Sequence, residues 1–401
     1  VANGLTAFVK ASIVSFFGEK DLLSQKMYIF LLMLTVATAL GFQSWRTIYN
    51  NFAVEVVGLD GFQNGVVQSF REVPGFLALL IIYILLVIKE NRLAALCVLI
   101  MGVGVSLTGM LPTFYGLLFT TVLLSFGFHY FETLNQSLTL QYFDTKTAPL
   151  VFGRLRSLSS ASNLVVGALV FVLVGLVSYH AILLIFGLMV IAIASVCLLM
   201  KPSDKNIPLQ KKGIVLKRRY GIYYALTFLA GARRQVFVAF AVFLMVKNFH
   251  FSIQMITVLF VLNNLINYFL SPLIGRAINR FGERKVLSAE YFSLVFIFIT
   301  YAYTSSAIVV GIMYILDHIF FNFSIAIRTY FQKIGLAEDI APTMAVGFTI
   351  NHIAAVVIPI TGGWLWLIDY RIPFIVGAAL SLVSLGLTQL IKLPSSVPDQ
   401  Q

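Results

Sequence analysis

The 401-residue chain is 59% hydrophobic and 11% charged, with a mean hydropathy of +0.93, against about 25% charged residues in an ordinary soluble domain. This balance excludes a soluble globular protein and predicts an all-α membrane protein. The net charge of +12 does not imply nucleic acid, because the basic residues lie in short loops between apolar segments, where membrane topology accounts for them.

Residues 1–26 come first. Leu5, Phe8, Val9, Ile13, Phe16 and Phe17 recur there at helical spacing among charged residues, the pattern of a short interfacial helix and not of a cleavable signal. A spanning helix needs about 20 mostly apolar residues. Six candidates follow within 27–200, at roughly 27–55, 62–87, 93–111, 114–143, 150–177 and 180–200. Short turns such as LPTF and SYH join them. The polar linker KPSDKNIPLQKKGIVLKRR, residues 201–219, then interrupts the series. Six more candidates fill 220–392, at roughly 220–246, 252–275, 284–304, 307–332, 340–367 and 372–392, and a tail occupies 393–401. Cys97 and Cys197 both sit in apolar runs and make no disulfide framework.

With the N-terminus inside, 21 of the 28 Lys and Arg fall in cytoplasmic segments. Two, Lys247 and Arg371, fall in outer loops, and five, Arg46, Arg71, Arg233, Arg234 and Arg328, fall within spans. The positive-inside rule therefore predicts both termini in the cytoplasm, as in a multi-pass protein of a bacterial inner membrane. The halves also match weakly at an offset of 188 residues. Phe52-Ala53-Val54 falls on Phe240-Ala241-Val242, Arg46 on Arg234, His129 on Asp317, and Tyr142-Phe143 on Tyr330-Phe331. A single offset serving several spans predicts two parallel six-helix repeats, an arrangement in which transporters commonly bind solute at the repeat interface.

The segment LLSFGFHYFETLNQSL, residues 123–138, places His129 and Glu132 inside an apolar run. Ser125, His129, Glu132, Gln136 and Thr139 share one helical face, as do Thr35, Ala39, Gln43, Arg46 and Asn50 on the first span. Polar stripes of this kind must face protein or water, because ionisable groups are costly in lipid. Arg71 and Glu72, beside Pro74 and Gly75, read as a kinked and internally neutralised segment. Trp364 and Trp366 read as interface anchors.

The segment GRAINRFGERKVL, residues 275–287, resembles the loop motif of the major facilitator superfamily, and IPITGGWLWLIDYRIPF, residues 358–374, resembles that family's eleventh-span ending. There are departures. Asn279 stands at the usual acidic position, the first-half loop VIKENRLAAL lacks the glycines, and the fifth span lacks the Gly-Pro-rich pattern of drug antiporters. The resemblance implies two pseudo-symmetric six-helix bundles whose first, fourth, seventh and tenth helices line a central cavity. It assigns Gly275, Asn279, Arg280, Gly282 and Arg284 to a gating loop.

These residues together predict a secondary transporter, proton-coupled and working by alternating access, for a small anionic or zwitterionic organic solute. Arg46, Gln43, His129, Gln136, Arg234 and His318 are the candidate solute ligands, since guanidinium forks suit carboxylate or phosphate. Glu132 and Asp317 are the candidate proton carriers, with no choice between them. Arg46 either binds solute or pairs with Glu72. Besides solute and protons the expected partner is the lipid bilayer, with no cofactor, no bound metal and a monomer as the working unit. No Gly-x-x-x-x-Gly-Lys-Ser/Thr loop is present, so nucleotide does not drive the cycle directly. Three other readings stand beside this one. They are a divalent-metal transporter using His129, Glu132, Asp317, His318 and His352, a lipid or drug exporter of the same fold, and an intramembrane enzyme with His129 and Glu132 as acid and base.

Overall fold

The computed structural model describes residues 22–59, 61–174, 176–202, 210–211, 213–251 and 253–392. The expected interfacial segment before residue 22, the linker residues 203–209 and 212 and the tail from 393 lie outside them, as do the side chains of Asn50, Lys247, Pro359 and Trp364. The described residues form twelve helical spans. The first six are α1 (Leu22–Asn51), α2 (Gly61–Phe76, continued by Leu77–Leu80 and Ile81–Ile84), α3 (Glu90–Met110), α4 (Phe114–Tyr142), α5 (Ala148–Val174) and α6 (Tyr179–Leu199). The second six are α7 (Gly221–Val236, continued by Phe237–Ala241 and Val242–Lys247), α8 (Ile253–Phe281), α9 (Glu283–Tyr303), α10 (Ala307–Phe321, continued by Asn322–Ser324 and Ile325–Ile334), α11 (Ile340–Ile368) and α12 (Ile372–Gln389). Ten of the described helices are long and apolar enough to cross a membrane.

Local chemistry fixes the helix ends. In the turns LPTF and SYH a hydroxyl caps the next helix, since Thr113 accepts the Gly116 N–H at 3.0 Å and Ser178 accepts that of Ala181 at 3.3 Å. Between α8 and α9 the chain reverses over Gly282, whose φ of 81° belongs to the region that glycine alone adopts freely. Four helices are locally rewound, α10 by the 3-10 turn at Asn322–Ser324. α1 and α7 each carry a π-turn towards their far ends, at Phe52–Val56 and Phe237–Ala241. Pro74 removes one rung from α2, and the helix tightens to a 3-10 turn at Leu77–Leu80 just beyond it.

The packing repeats between halves. α1 rests on α5 and α6 as α7 rests on α11 and α12, α3 on α4 and α6 as α9 on α10 and α12, and α2 on α4 as α8 on α10. Two six-helix bundles related by pseudo-symmetry result. Even the end contacts correspond, because Glu90 opening α3 accepts from Gln141 of α4 at 2.8 Å, while Glu283 opening α9 meets Lys333 of α10 at 2.7 Å. Between bundles the equivalent pairs α5–α8 and α2–α11 carry the contact, with α4 also against α10 and α11.

That contact is tight at the end bearing the basic loops. A Cβ on Gly275 of α8 would lie 2.5 Å from the Pro149 carbonyl of α5, and one on Gly153 of α5 would lie 2.5 Å from the Ser271 carbonyl of α8. Two glycines therefore let the backbones touch. Around them, Ser157 donates to the Tyr268 carbonyl at 2.5 Å and Asn279 to the Lys146 carbonyl at 2.7 Å. Gln332 donates to both the Leu140 and Phe143 carbonyls, at 2.9 and 2.7 Å. The Leu79 N–H in the 3-10 turn of α2 is taken by Thr349 of α11 at 2.9 Å. Among the described residues no ion pair crosses between the bundles here.

Candidate functional site

Ionisable residues of the spans fall into three groups. The first belongs to α2, α4 and α11. Arg71 and Glu72 pair at 2.7 Å, as the sequence suggested, but Glu72 also turns its second oxygen to His129 Nε2 at 3.9 Å. Ser125 donates to the Arg71 carbonyl and lies 2.9 Å from His129 Nδ1. His352 of α11 meets His129 with ring centroids 5.1 Å apart, and Phe348 stacks on His352. Arg234 of α7 lies within the field of Glu72.

The second group centres on Glu132, which is half-buried on α4 and lies in the field of Arg328 of α10 and Arg156 of α5. Arg156 donates to Asn322 at 3.2 Å, in the 3-10 turn of α10. Arg328 lies 5.7 Å over the Phe152 ring of α5. Arg46 is exposed on α1, 5.9 Å over the Phe260 ring of α8. His318 is half-buried against Phe237 with centroids 4.7 Å apart, and shares the field of Arg46 and Arg156. The Arg156–Asn322, Arg328–Phe152 and Arg46–Phe260 contacts join one bundle to the other.

The third group is internal to the second bundle. Arg233 is 3% exposed, lies 3.6 Å from Glu290 of α9, stacks 4.2 Å over Tyr291 and donates to Ser384 of α12. Asp317 shares this group's field and is likewise 3% exposed, with one oxygen unpartnered among the described residues.

The predicted residues are thus sorted by helix face. His129 and Glu132 belong to different groups. Asp317 and His318, adjacent in sequence, point into the second bundle and towards the bundle interface respectively, as neighbours about 100° apart on a helix must. Arg233 and Arg234 divide in the same way. Of the two alternatives for Arg46, the pair with Glu72 is not formed among the described residues, where Arg71 on the same helix holds that carboxylate. Gln43 donates to Thr47 on its own helix at 3.2 Å, and Gln136 is buried on the α4 face. In the loop motif, Gly275 and Asn279 touch the other bundle, whereas Arg284 donates to Gln389 within its own, at 3.0 Å, and Arg280 lies over the adjacent Phe281. Trp366 stacks on Phe240, 5.7 Å between centroids.

Two participants, Arg156 and Glu290, are not among the candidates that the sequence offers. Arg156 reads from sequence as part of the basic cytoplasmic segment, although it stands two turns inside α5. Glu290 stands two turns inside α9, in AEYFSLVFIF, and is legible only as an acid at the head of an apolar run. His352 is a candidate only in the divalent-metal reading, and it is the fold that sets it against His129.

The family model of the Major Facilitator Superfamily matches residues 23–333. The chain belongs to this superfamily. It is a multi-pass membrane protein of a family of transporters, not of enzymes, so the acid–base reading of His129 and Glu132 falls. Among solved structures it is similar to the human organic anion transporter MFSD10, at TM-score 0.74 and 12% identity, over 91% of this chain and 99% of that one. It is equally similar to the superfamily transporter FucP in its outward conformation, at TM-score 0.74 and 12% identity, over 92% and 99%. The nucleoside transporter NupG follows at TM-score 0.60 and 14% identity, over 91% and 98%. At such identities the likeness concerns the fold. No curated protein matches the chain by sequence.

Proposed function

We propose that this superfamily member moves a small organic anion, or a zwitterion bound through its acidic group, by alternating access coupled to protons. One observation carries the reading. Among the described span residues at the bundle interface stand five guanidiniums, from Arg46, Arg71, Arg156, Arg234 and Arg328, and only two carboxylates, Glu72 and Glu132. Such an excess of positive charge in a membrane interior calls for an anion, and guanidinium binds carboxylate or phosphate through paired hydrogen bonds.

Glu132 supplies the coupling. Ionised, it occupies Arg156 and Arg328. Protonated, it frees both for the solute's acidic group, so one proton and one negative charge enter together. Arg46, Arg234, Gln43, Gln136 and His318 complete the solute's surroundings, with His129 at their edge. Asp317, enclosed with Arg233 and Glu290, holds the second bundle together and is not the carrier. The bundles divide as 27–200 and 220–392 about the linker 201–219, and the basic end is the cytoplasmic one, in keeping with the charge bias of the loops. The divalent-metal cargo reading is disfavoured, since its five proposed ligands fall into all three groups.

The test is a thermal-shift screen of the detergent-purified protein against organic anions and their neutral analogues, with Arg234→Gln and Glu132→Gln alongside. Stabilisation by an anion that disappears in Arg234→Gln supports the reading. In the wild type that stabilisation strengthens as pH falls, and in Glu132→Gln it no longer depends on pH. Equal stabilisation by neutral sugars or nucleosides, indifferent to Arg234, overturns it.

A further inference from the structure

Both histidines of the first group are prepared in the same way. His129 Nδ1 donates to the Ser125 carbonyl at 3.0 Å, and His352 Nδ1 donates to the Phe348 carbonyl at 2.9 Å. Each bond ties the Nδ1–H to the preceding helical turn and leaves Nε2 with its lone pair. That is how proteins orient imidazoles that bind metal. The two rings converge over Gly75 of α2, where a Cβ would stand 2.6 Å from His352 Nε2 and 2.9 Å from His129 Cδ2. Glu72, one turn earlier on α2, completes the convergence, and the donor atoms of Glu72, His129 and His352 all lie within 4.8 Å of one another. His129 and His352 are 6% and 3% exposed.

We propose that Glu72, His129 and His352 form a binding site for a transition-metal dication of the Zn2+, Co2+ or Ni2+ kind, and that the ion joins the two bundles. Two imidazoles and one carboxylate, with water in a fourth position, suit these ions. A tetrahedral ion with bonds of about 2.0–2.1 Å sets neighbouring donors about 3.4 Å apart, so the side chains close by roughly an ångström on binding. Two positive neighbours select the occupant. Arg71 holds the other oxygen of Glu72, and Arg234 lies in the carboxylate's field. Mg2+ and Ca2+, which need several oxygen ligands, gain nothing from the imidazoles and meet the same repulsion.

The consequence follows from which helices are joined. α2 and α4 belong to one bundle and α11 to the other, and they meet beside the Leu79–Thr349 contact. Parting of the bundles at this end withdraws His352 and takes the site apart. An ion that binds only the assembled site therefore holds the basic end shut, acting as a brake and not as cargo.

The experiment uses the full purified chain. Co2+ titrated into the wild type is expected to give one equivalent of a four-coordinate visible spectrum, and Zn2+ to raise Tm where Mg2+ does not. Binding is expected to weaken roughly tenfold or more in His352→Gln and in Glu72→Gln. Should either variant fail to fold, X-ray absorption of Zn2+ bound to the wild type is expected to count two imidazoles. A Ser157→Cys reporter at the closed end is expected to react more slowly with an aqueous maleimide when Zn2+ is present. Affinity unchanged in both variants, fewer than two imidazoles, or bound Zn2+ that leaves the reporter's rate unaltered would each overturn the proposal. None of these readouts depends on which solute is carried.

Discussion

His129 and His352 come from opposite bundles and meet edge to face, with ring centroids 5.1 Å apart and planes 87° apart. They do so over a glycine, because any side chain at position 75 would occupy the space of both rings. Gly75→Val is therefore expected to push α11 away from α2 and to lower stability by about 1–3 kcal/mol, the usual range for overpacking. A melting curve in detergent reads the effect, and an unchanged Tm would mean that the two helices do not close here.

Arg233 and Arg234 should part company on mutation. Arg233→Leu strands Glu290 inside the second bundle and is expected to cost about 3–5 kcal/mol, whereas pairing it with Glu290→Leu should restore most of the loss, as for other buried ion pairs exchanged for apolar residues. Arg234→Gln should leave Tm nearly unchanged in the absence of solute. Equal damage from Arg233→Leu and Arg234→Gln would contradict the assignment of the two to different faces.

Closure of the basic end rests on neutral contacts. Gly275→Val should collide with the Pro149 carbonyl and raise the maleimide reactivity of Ser157→Cys several-fold, while Cys97 and Cys197, both buried, contribute little background. In Ser157→Cys with Gly275 intact that reactivity should be the same at low and at high salt, since salt screens charges and leaves hydroxyl and amide contacts largely alone. A steep salt dependence would reveal an ion pair across the closed basic end.

The linker is fastened by charge. Burial raises the Asp339 carboxyl, but hydrogen bonds from Lys217, Tyr220 and Lys211 outweigh it and hold the group below its ordinary value. A lowered carboxyl contributes stability above its unfolded pKa of about 3.9, and that stability is lost as pH falls through the still lower folded value. At neutral pH the fastening is intact, and Asp339→Asn should release it, so that trypsin cuts after Lys211 faster than in the parent chain. Equal cutting rates would show that the linker is held by something else.

The architecture was legible early because lipid imposes a simple code. Apolar length, loop charge and a polar break each follow from the cost of exposing backbone or charge to hydrocarbon. The site was legible only in part. Helical periodicity put His129 and Glu132 on one broad face, yet their partners come from α2, α5, α10 and α11, and a single sequence does not encode which helices meet. Arg156 shows the difficulty, since a basic residue two turns inside a span reads like its loop neighbours until the opposite helix supplies Asn322. The asparagine at the acidic position of the loop motif has an explanation that only the fold gives: its amide donates to the Lys146 carbonyl of the other bundle.

The latch formed by Gln332 carries a last consequence. Its single amide serves two carbonyls at the end of α4, and the neighbouring contacts of Ser157 and Asn279 also end on backbone carbonyls. When the bundles part, those acceptors have no replacement within the protein and must be met by solvent, because a buried unpaired carbonyl is costly. Opening this end is therefore a hydration step. Osmolytes too large to enter the gap lower the activity of water there and should bias the resting protein towards its sealed form, making osmotic pressure as well as solute and protons a variable of the cycle.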